Sequence, residues 1–109
     1  MKIKRNYWTI PGLKEILTNE DYIIHYIERN TGVKINTNTR LRDVVHARQL
    51  AMYIIKEKTK LTLAQIGDRC GGKDHATVAH AIKKVKDNMK YDKYFRYKYG
   101  KLLKRFGLM

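Results

Sequence analysis

Apolar residues recur at helical spacing along the first half of the chain. Thr18, followed by Asp21, is typical of a helix N-cap and predicts a helix over residues 19–30 that ends at Gly32. The apolar face of this helix comprises Ile23, Ile24, Ile27 and one side of Tyr26. The polar segment 33–41 predicts a loop. A second helix is predicted over 43–58, and its main apolar face comprises Val44, Ala47, Ala51, Ile54 and Ile55. Apolar residues on its other faces predict that this helix is central.

The second half of the chain continues the pattern with clearer boundaries. Thr62 and Gln65 form a capping-box signature that predicts a short helix over 63–70. Gly71–Gly72 then breaks the pattern, and Asp74 is a favourable N-cap for the next helix. The core face of that helix comprises Val78, Ile82, Val85 and Met89. Asp92 predicts the start of a last helix, whose apolar face comprises Phe95, Tyr99, Leu102, Leu103 and Phe106.

These segments together predict an all-α fold, a helical bundle with about five to six helices, because no alternating β pattern is visible. Residues 1–17 form an N-terminal extension, in which Tyr7, Trp8 and Ile10 can attach to the core and residues 13–17 can form a helical turn. Residues 18–90 form the main helical domain. Residues 91–109 form a basic, tyrosine-rich helix that packs on it.

The charge of the chain narrows the class of partner. Lys and Arg total 24 against 10 acidic residues, a formal net charge of +14, and the excess lies after residue 39. Such a field attracts polyanions, of which nucleic acid is the commonest, although a solvated surface or a membrane surface are the alternatives. A single cysteine excludes a disulfide framework and a thiolate zinc site. The apolar runs are too short to span a bilayer, and no signal peptide is visible.

Two helices separated by Gly71–Gly72 are typical of a helix-turn-helix, whose second helix enters the major groove of DNA, although the same pattern is common in folds that bind nothing. The free N–H groups at the start of that helix favour phosphate, and its first residues are short or polar. The candidate contacts there are Lys73, Asp74, His75, Ala76, Thr77, His80, Lys83 and Lys84. A second basic group, suited to a narrow minor groove, comprises Arg40, Arg42 and Arg48.

The stretch from Ala47 to Val85 resembles domain IV, the C-terminal DNA-binding domain, of the bacterial replication initiator DnaA. Members of that family show an ARQ-x-AMY helix, then S/T-L-x-x-I-G, then G-G-[RK]-D-H-[ST]-T-V-x-H-A. The matching residues are Arg48–Gln49, Ala51–Met52–Tyr53, Thr62–Leu63, Ile66–Gly67, Gly71–Gly72, Asp74–His75, Thr77–Val78 and His80–Ala81. A weaker similarity extends upstream, so that the resemblance covers residues 18–90.

The resemblance implies a fold related to the Trp-repressor class and recognition of a short duplex site, the DnaA box. It implies a minor-groove contact by Arg40, contacts by Arg48 and Gln49, a phosphate contact by Lys56, and major-groove contacts by Asp74, His75, Thr77 and, nearby, His80. Alternatives stay open for several of them. Arg48 can pair with Asp43 or Asp68, and Gln49 can bond to the turn. Arg40 can be a solvated loop arginine, His75 can bond to its own turn, and His80 can lie beside the DNA backbone. The resemblance further implies a role in replication initiation or its regulation, in the cytoplasm and associated with the nucleoid.

The chain departs from the family pattern in ways that affect specificity more than DNA binding. Ala76 stands where Ser or Thr is usual, Cys70 stands where a large apolar residue is usual, and Asp43 and His46 stand in a loop that is often more basic. No G-x-x-x-x-G-K-[ST] phosphate loop is present, so we expect no nucleotide cofactor and no ATP hydrolysis.

The sequence therefore predicts a non-enzymatic protein that binds double-stranded DNA and that uses no metal or other cofactor. It is expected to be a monomer or weak dimer away from membranes. The alternative is a regulatory module that contacts a replication protein and binds nucleic acid weakly or without sequence preference. Ala76 and the tyrosine-rich last helix favour that alternative.

Overall fold

The structure is a computed structural model that describes residues 19–37 and 39–109. All regular structure within these residues is helical, which confirms the predicted fold class. The helices are α1 (Glu20–Thr31), α2 (Arg42–Lys58), α3 (Leu63–Arg69), α4 (His75–Tyr91) and α5 (Lys93–Arg105). The predicted turn at 13–17 and the contacts of Tyr7, Trp8 and Ile10 lie outside the described residues.

Side-chain caps set the helix boundaries much as the sequence predicts. Thr62 and Gln65 form a reciprocal capping box at the start of α3. Asp92 caps α5 by accepting from the N–H of Phe95 at 3.0 Å. The prediction of Thr18 as the cap of α1 is wrong: the side chain of Asn19 accepts from the N–H of Tyr22 at 3.0 Å instead. Thr and Asn are both good caps, so sequence preference alone does not decide between neighbouring positions.

Helix α2 is the central element. Its residues 50–55 are all buried, and it packs against α1, α3 and α4. Ile23 and Ile27 of α1 and Val78 and Val85 of α4 meet it, as their spacing predicts. Ile82 and Met89 are only half-buried, and Ala81, absent from the predicted stripe, is buried. The most buried line of α4 therefore runs through Val78, Ala81 and Val85 and is rotated toward Ala81 from the predicted stripe.

Helix α5 completes the same hydrophobic core. All five apolar residues predicted to share its inner face, from Phe95 to Phe106, are buried in it. Arg96 donates to the carbonyls of Met89 and Lys90, at 3.0 and 3.1 Å, and so holds α5 against the end of α4. The division of the chain at residues 17/18 and 90/91 into an extension, a domain and an added helix stays a prediction.

Candidate nucleic-acid interface

The tight turn between α3 and α4 depends on glycine. Gly71 and Gly72 have φ angles of +97° and +68°, a left-handed region that other residues rarely occupy. Gly67 accepts from the N–H of Lys73 at 2.9 Å, and a Cβ atom on Gly67 would lie 1.9 Å from the carbonyl oxygen of Lys73. The chain therefore folds back onto α3 before α4 begins, which is the arrangement of a helix-turn-helix.

The first turn of α4 presents short side chains to solvent. The carboxylate of Asp74 accepts from the N–H of Thr77 at 2.8 Å, which caps the helix and holds the pKa of Asp74 below its usual range. His75, Ala76 and Thr77 follow, and all three are exposed, as is His80 one turn later. The predicted major-groove residues therefore share one accessible helix start, although the carboxylate of Asp74 is already engaged by the cap.

Basic side chains continue along α4 and lie beside it. Lys84 is exposed, and Lys83 pairs with Asp87 at 3.6 Å in a solvent-exposed ion pair. Lys73 is half-buried in the turn, and Lys56 is exposed near the end of α2. Exposed ion pairs of this kind contribute little to stability, so Lys83 can exchange Asp87 for a phosphate at low cost.

Arg48 organises the loop that precedes α2. Its side chain is 6% exposed, and its guanidinium donates to the carbonyls of Ile35, Thr37 and Thr39 at 3.4, 2.8 and 3.0 Å. These contacts with the loop replace the pairing with Asp43 or Asp68 that the sequence left open. Arg48 therefore satisfies three carbonyls of the loop, of which that of the buried Ile35 is one, and fixes the path of the loop.

The loop that Arg48 holds also contacts the α3–α4 turn. A Cβ atom on Gly71 would lie 2.7 Å from the carbonyl oxygen of Thr37 and 3.4 Å from Nε of Arg48. Only glycine permits this close approach of the two backbones. The loop that carries the exposed Arg40 is therefore in contact with the turn that precedes α4. The exposed Arg42 is the first residue of α2, directly after this loop.

The sequence contains a signal for the structural role of Arg48. Val44, Arg48, Ala51 and Ile55 follow one another at i, i+4, i+7 and i+11, so the arginine lies on the apolar face of α2. A charged residue on such a face is usually paired or hydrogen-bonded. Gln49, its neighbour, is half-buried, and the choice between a DNA contact and a structural bond stays open for it.

Three residues that depart from the family pattern, Asp43, His46 and Cys70, do not lie at the exposed start of α4. Asp43 and His46 lie on α2 itself and not in the preceding loop, and the ring of His46 packs edge-on against Phe95 and Tyr99 at 6.0 Å. Cys70 is fully buried, and burial raises the pKa of its thiol to about 12.

Within the described ranges, no cluster of three or more His, Cys, Asp or Glu residues is placed to hold a metal ion. None of the described helices is both long enough and apolar enough to cross a bilayer.

The fold and the exposed helix start define a helix-turn-helix domain. A family model described as the bacterial dnaA protein helix-turn-helix matches residues 21–85. This match spans more than half of the chain, and the chain belongs to that family.

Curated relatives agree with this family and are much longer proteins. The chain is 50% identical over 62 residues to the chromosomal replication initiator protein DnaA of Bacteroides thetaiotaomicron, a match that covers 57% of this chain and 13% of the relative. It is 39% identical over 83 residues to the protein of the same name from Lactobacillus acidophilus, covering 76% of this chain and 17% of the relative. The chain thus spans less than a fifth of these relatives. No solved structure matches it significantly.

Proposed function

We propose that this protein binds double-stranded DNA with sequence preference, at a site resembling the DnaA box. Helix α4 enters the major groove, and the loop carrying Arg40 enters the adjacent minor groove. The role we propose is binding, not catalysis, in replication initiation or its regulation, and it rests on membership of the DnaA helix-turn-helix family and on relatives named as replication initiators.

The observation that carries the proposal is the exposure of His75, Ala76, Thr77 and His80 at the start of a long capped helix. Burial would have made these residues unavailable to any partner. Imidazole and hydroxyl groups donate or accept hydrogen bonds at base edges, and the methyl group of Ala76 can contact the methyl group of thymine. The partial positive charge of the helix start favours the nearby phosphates.

The minor-groove part of the proposal rests on the loop geometry. Arg40 is exposed on a loop that Arg48 ties to Gly71, so the loop reaches DNA already positioned relative to α4. A narrow minor groove has an enhanced negative potential that attracts arginine. In this proposal Arg48 is a positioning residue, because its donors are already engaged by carbonyls of the chain.

The remaining cations supply affinity without sequence information. Arg42, Lys56, Lys73, Lys83 and Lys84 lie outside the core and can approach phosphates. Each phosphate contact releases condensed counterions, so the affinity is expected to fall steeply as salt rises. We include the half-buried Gln49 among the proposed DNA contacts.

The test is selection from random duplex DNA at near-physiological salt, followed by titration of the selected duplex and a scrambled duplex. His75→Ala with Thr77→Ala should reduce the preference between them by about 1–3 kcal/mol per lost base contact. Lys84→Ala, the matched control, should weaken both duplexes equally and lower the salt slope by about 1. An unchanged preference in the double variant would reject the assignment of His75 and Thr77, and no enriched motif would favour the protein-interaction alternative.

A further inference from the structure

Three tyrosines project into solvent where α4 ends and α5 begins. Tyr91, Tyr94 and Tyr97 are 75%, 66% and 85% exposed, whereas Tyr99 on the same helix is buried. Among residues 19–37 and 39–109, the other large hydrophobic side chains with high exposure are Leu41 and Met109. Exposed aromatic rings concentrated at one junction are typical of an interaction surface.

The surface around these rings is strongly cationic. Helix α5 contains no acidic residue, and its basic residues are Lys93, Arg96, Lys98, Lys101, Lys104 and Arg105. Tyr94 and Tyr97 lie with Lys93, Lys101 and Lys104 on the exposed face of the helix, opposite the buried Phe95 and Tyr99. Lys98 pairs with Asp43, but no ion pair within the described ranges engages Lys93, Lys101 or Lys104.

The junction that presents the rings is held by the fold. Arg96 donates to the last carbonyls of α4, and Asp92 caps the first turn of α5. Nζ of Lys90 lies 5.4 Å from the ring centroid of Tyr91, and Nζ of Lys98 lies 6.0 Å from that of Tyr94. A fixed backbone beneath exposed rings lowers the entropy cost of binding a ligand there.

We infer that this tyrosine–lysine surface, formed by Tyr91, Tyr94, Tyr97, Lys93, Lys101 and Lys104, binds an unpaired nucleic-acid strand. The lysines complement the phosphates, and the rings provide platforms for bases. Proteins that bind single strands without sequence preference combine these two features. A duplex buries the faces of its bases within the stack, so only an unpaired strand can use the tyrosines. This site is separate from the start of α4 and does not depend on the proposed duplex contacts.

The experiment compares two strands of equal charge. A labelled oligothymidine of about 20 nucleotides and an abasic strand of the same length are titrated with the full chain. The wild type should bind oligothymidine about tenfold or more tightly than the abasic strand, because only the former stacks. Tyr94→Ala with Tyr97→Ala should remove most of this preference. Tyr94→Phe with Tyr97→Phe, which keeps the rings, should retain it within about twofold.

Three further measurements separate the inference from its rivals. The melting temperature and the affinity for the selected duplex should be the same in both tyrosine variants, whereas His75→Ala with Thr77→Ala should change only duplex recognition. Oligouridine compared with oligodeoxyuridine, which differs from it only in the 2′-hydroxyl, distinguishes RNA from DNA as the source of the strand. Equal binding of abasic and base-containing strands, or equal losses in the alanine and phenylalanine variants, would overturn the inference. Polyglutamate that competes with labelled oligothymidine as effectively as unlabelled oligothymidine of the same length does would also overturn the inference and favour an acidic protein partner.

Discussion

Two adjacent regions of the candidate interface use their polar groups in opposite ways. In the support, formed by loop residues 33–37 and 39–41, Arg48 and the α3–α4 turn, polar groups bond to one another and glycines allow close backbone contacts. In the first two turns of α4, side chains of similar polarity lie in solvent. The support therefore determines shape and stability, whereas α4 retains hydrogen-bonding capacity for a partner. Substitutions in the two regions should accordingly separate folding from recognition.

The largest effect is expected at Gly67, the residue of α3 against which the α3–α4 turn packs. Gly67→Ala would place a Cβ atom against the carbonyl of Lys73, and it should lower the free energy of unfolding by about 3 kcal/mol. Gly100→Ala is the matched control, because a Cβ atom there meets only Sδ of Met109, at 3.5 Å. It should be neutral or stabilise by up to about 1 kcal/mol, since alanine favours a helix interior. Urea unfolding measures the free energy of unfolding of both variants. Equal changes in the two variants would contradict the close contact between Gly67 and Lys73.

Arg48 should show a large effect that nearby exposed arginines do not. Arg48→Met leaves the carbonyls of Ile35, Thr37 and Thr39 without this donor and should cost about 2 kcal/mol in urea unfolding. Arg42→Ala removes an exposed cation and should change stability by no more than about 0.5 kcal/mol. If both variants unfold at the same urea concentration, Arg48 does not hold the loop.

A smaller, pH-dependent effect is expected at His46, which joins α2 to α5. Burial lowers the pKa of His46 below 6.5, and the positive charges of Arg42 and Lys98 lower it further. As the pH falls, the unfolded chain therefore protonates His46 before the folded chain does. The contribution of neutral His46 to the free energy of unfolding is complete above the ordinary pKa and is lost as the pH falls below it. Between about pH 7.5 and 5.5, the wild type should lose more stability than His46→Phe, which does not titrate. Identical pH slopes would contradict this environment for His46.

The smallest effect on stability is expected in the region that we propose reads DNA. His75→Ala with Thr77→Ala should shift the free energy of unfolding by less than about 0.5 kcal/mol, because both side chains are exposed and the cap is supplied by Asp74. Thermal and urea unfolding check this result. A loss comparable to that of Arg48→Met would show that the start of α4 is a structural element, and it would remove the contrast between the two regions.

Much of the fold is predictable because the determinants are local. The capping box of Thr62 and Gln65, the Asp74 cap and the apolar face of α5 each involve residues within a few helical turns of one another. Helical spacing places such residues on one face without knowledge of the rest of the chain. The same locality explains the shift from Thr18 to Asn19 at the start of α1, since two good caps are adjacent there.

The roles of particular cations are less accessible from the sequence. Arg40, Arg42 and Arg48 form one basic group in the sequence, but only Arg48 is buried by the fold and bonded to the loop. Its position on the apolar face of α2 indicates burial but does not identify its partners. Those partners lie 9 to 13 residues earlier in a loop whose path no local rule predicts.

By itself, the order of residues determined that this chain forms capped helices separated by a double glycine, because caps and helical periodicity act over short distances. Tertiary structure alone decided that Gly71 contacts the loop at Thr37, and that Arg48 donates to the carbonyls of Ile35, Thr37 and Thr39. Those outcomes depend on how distant segments pack, and packing is set by the simultaneous fit of all the helices rather than by any one of them.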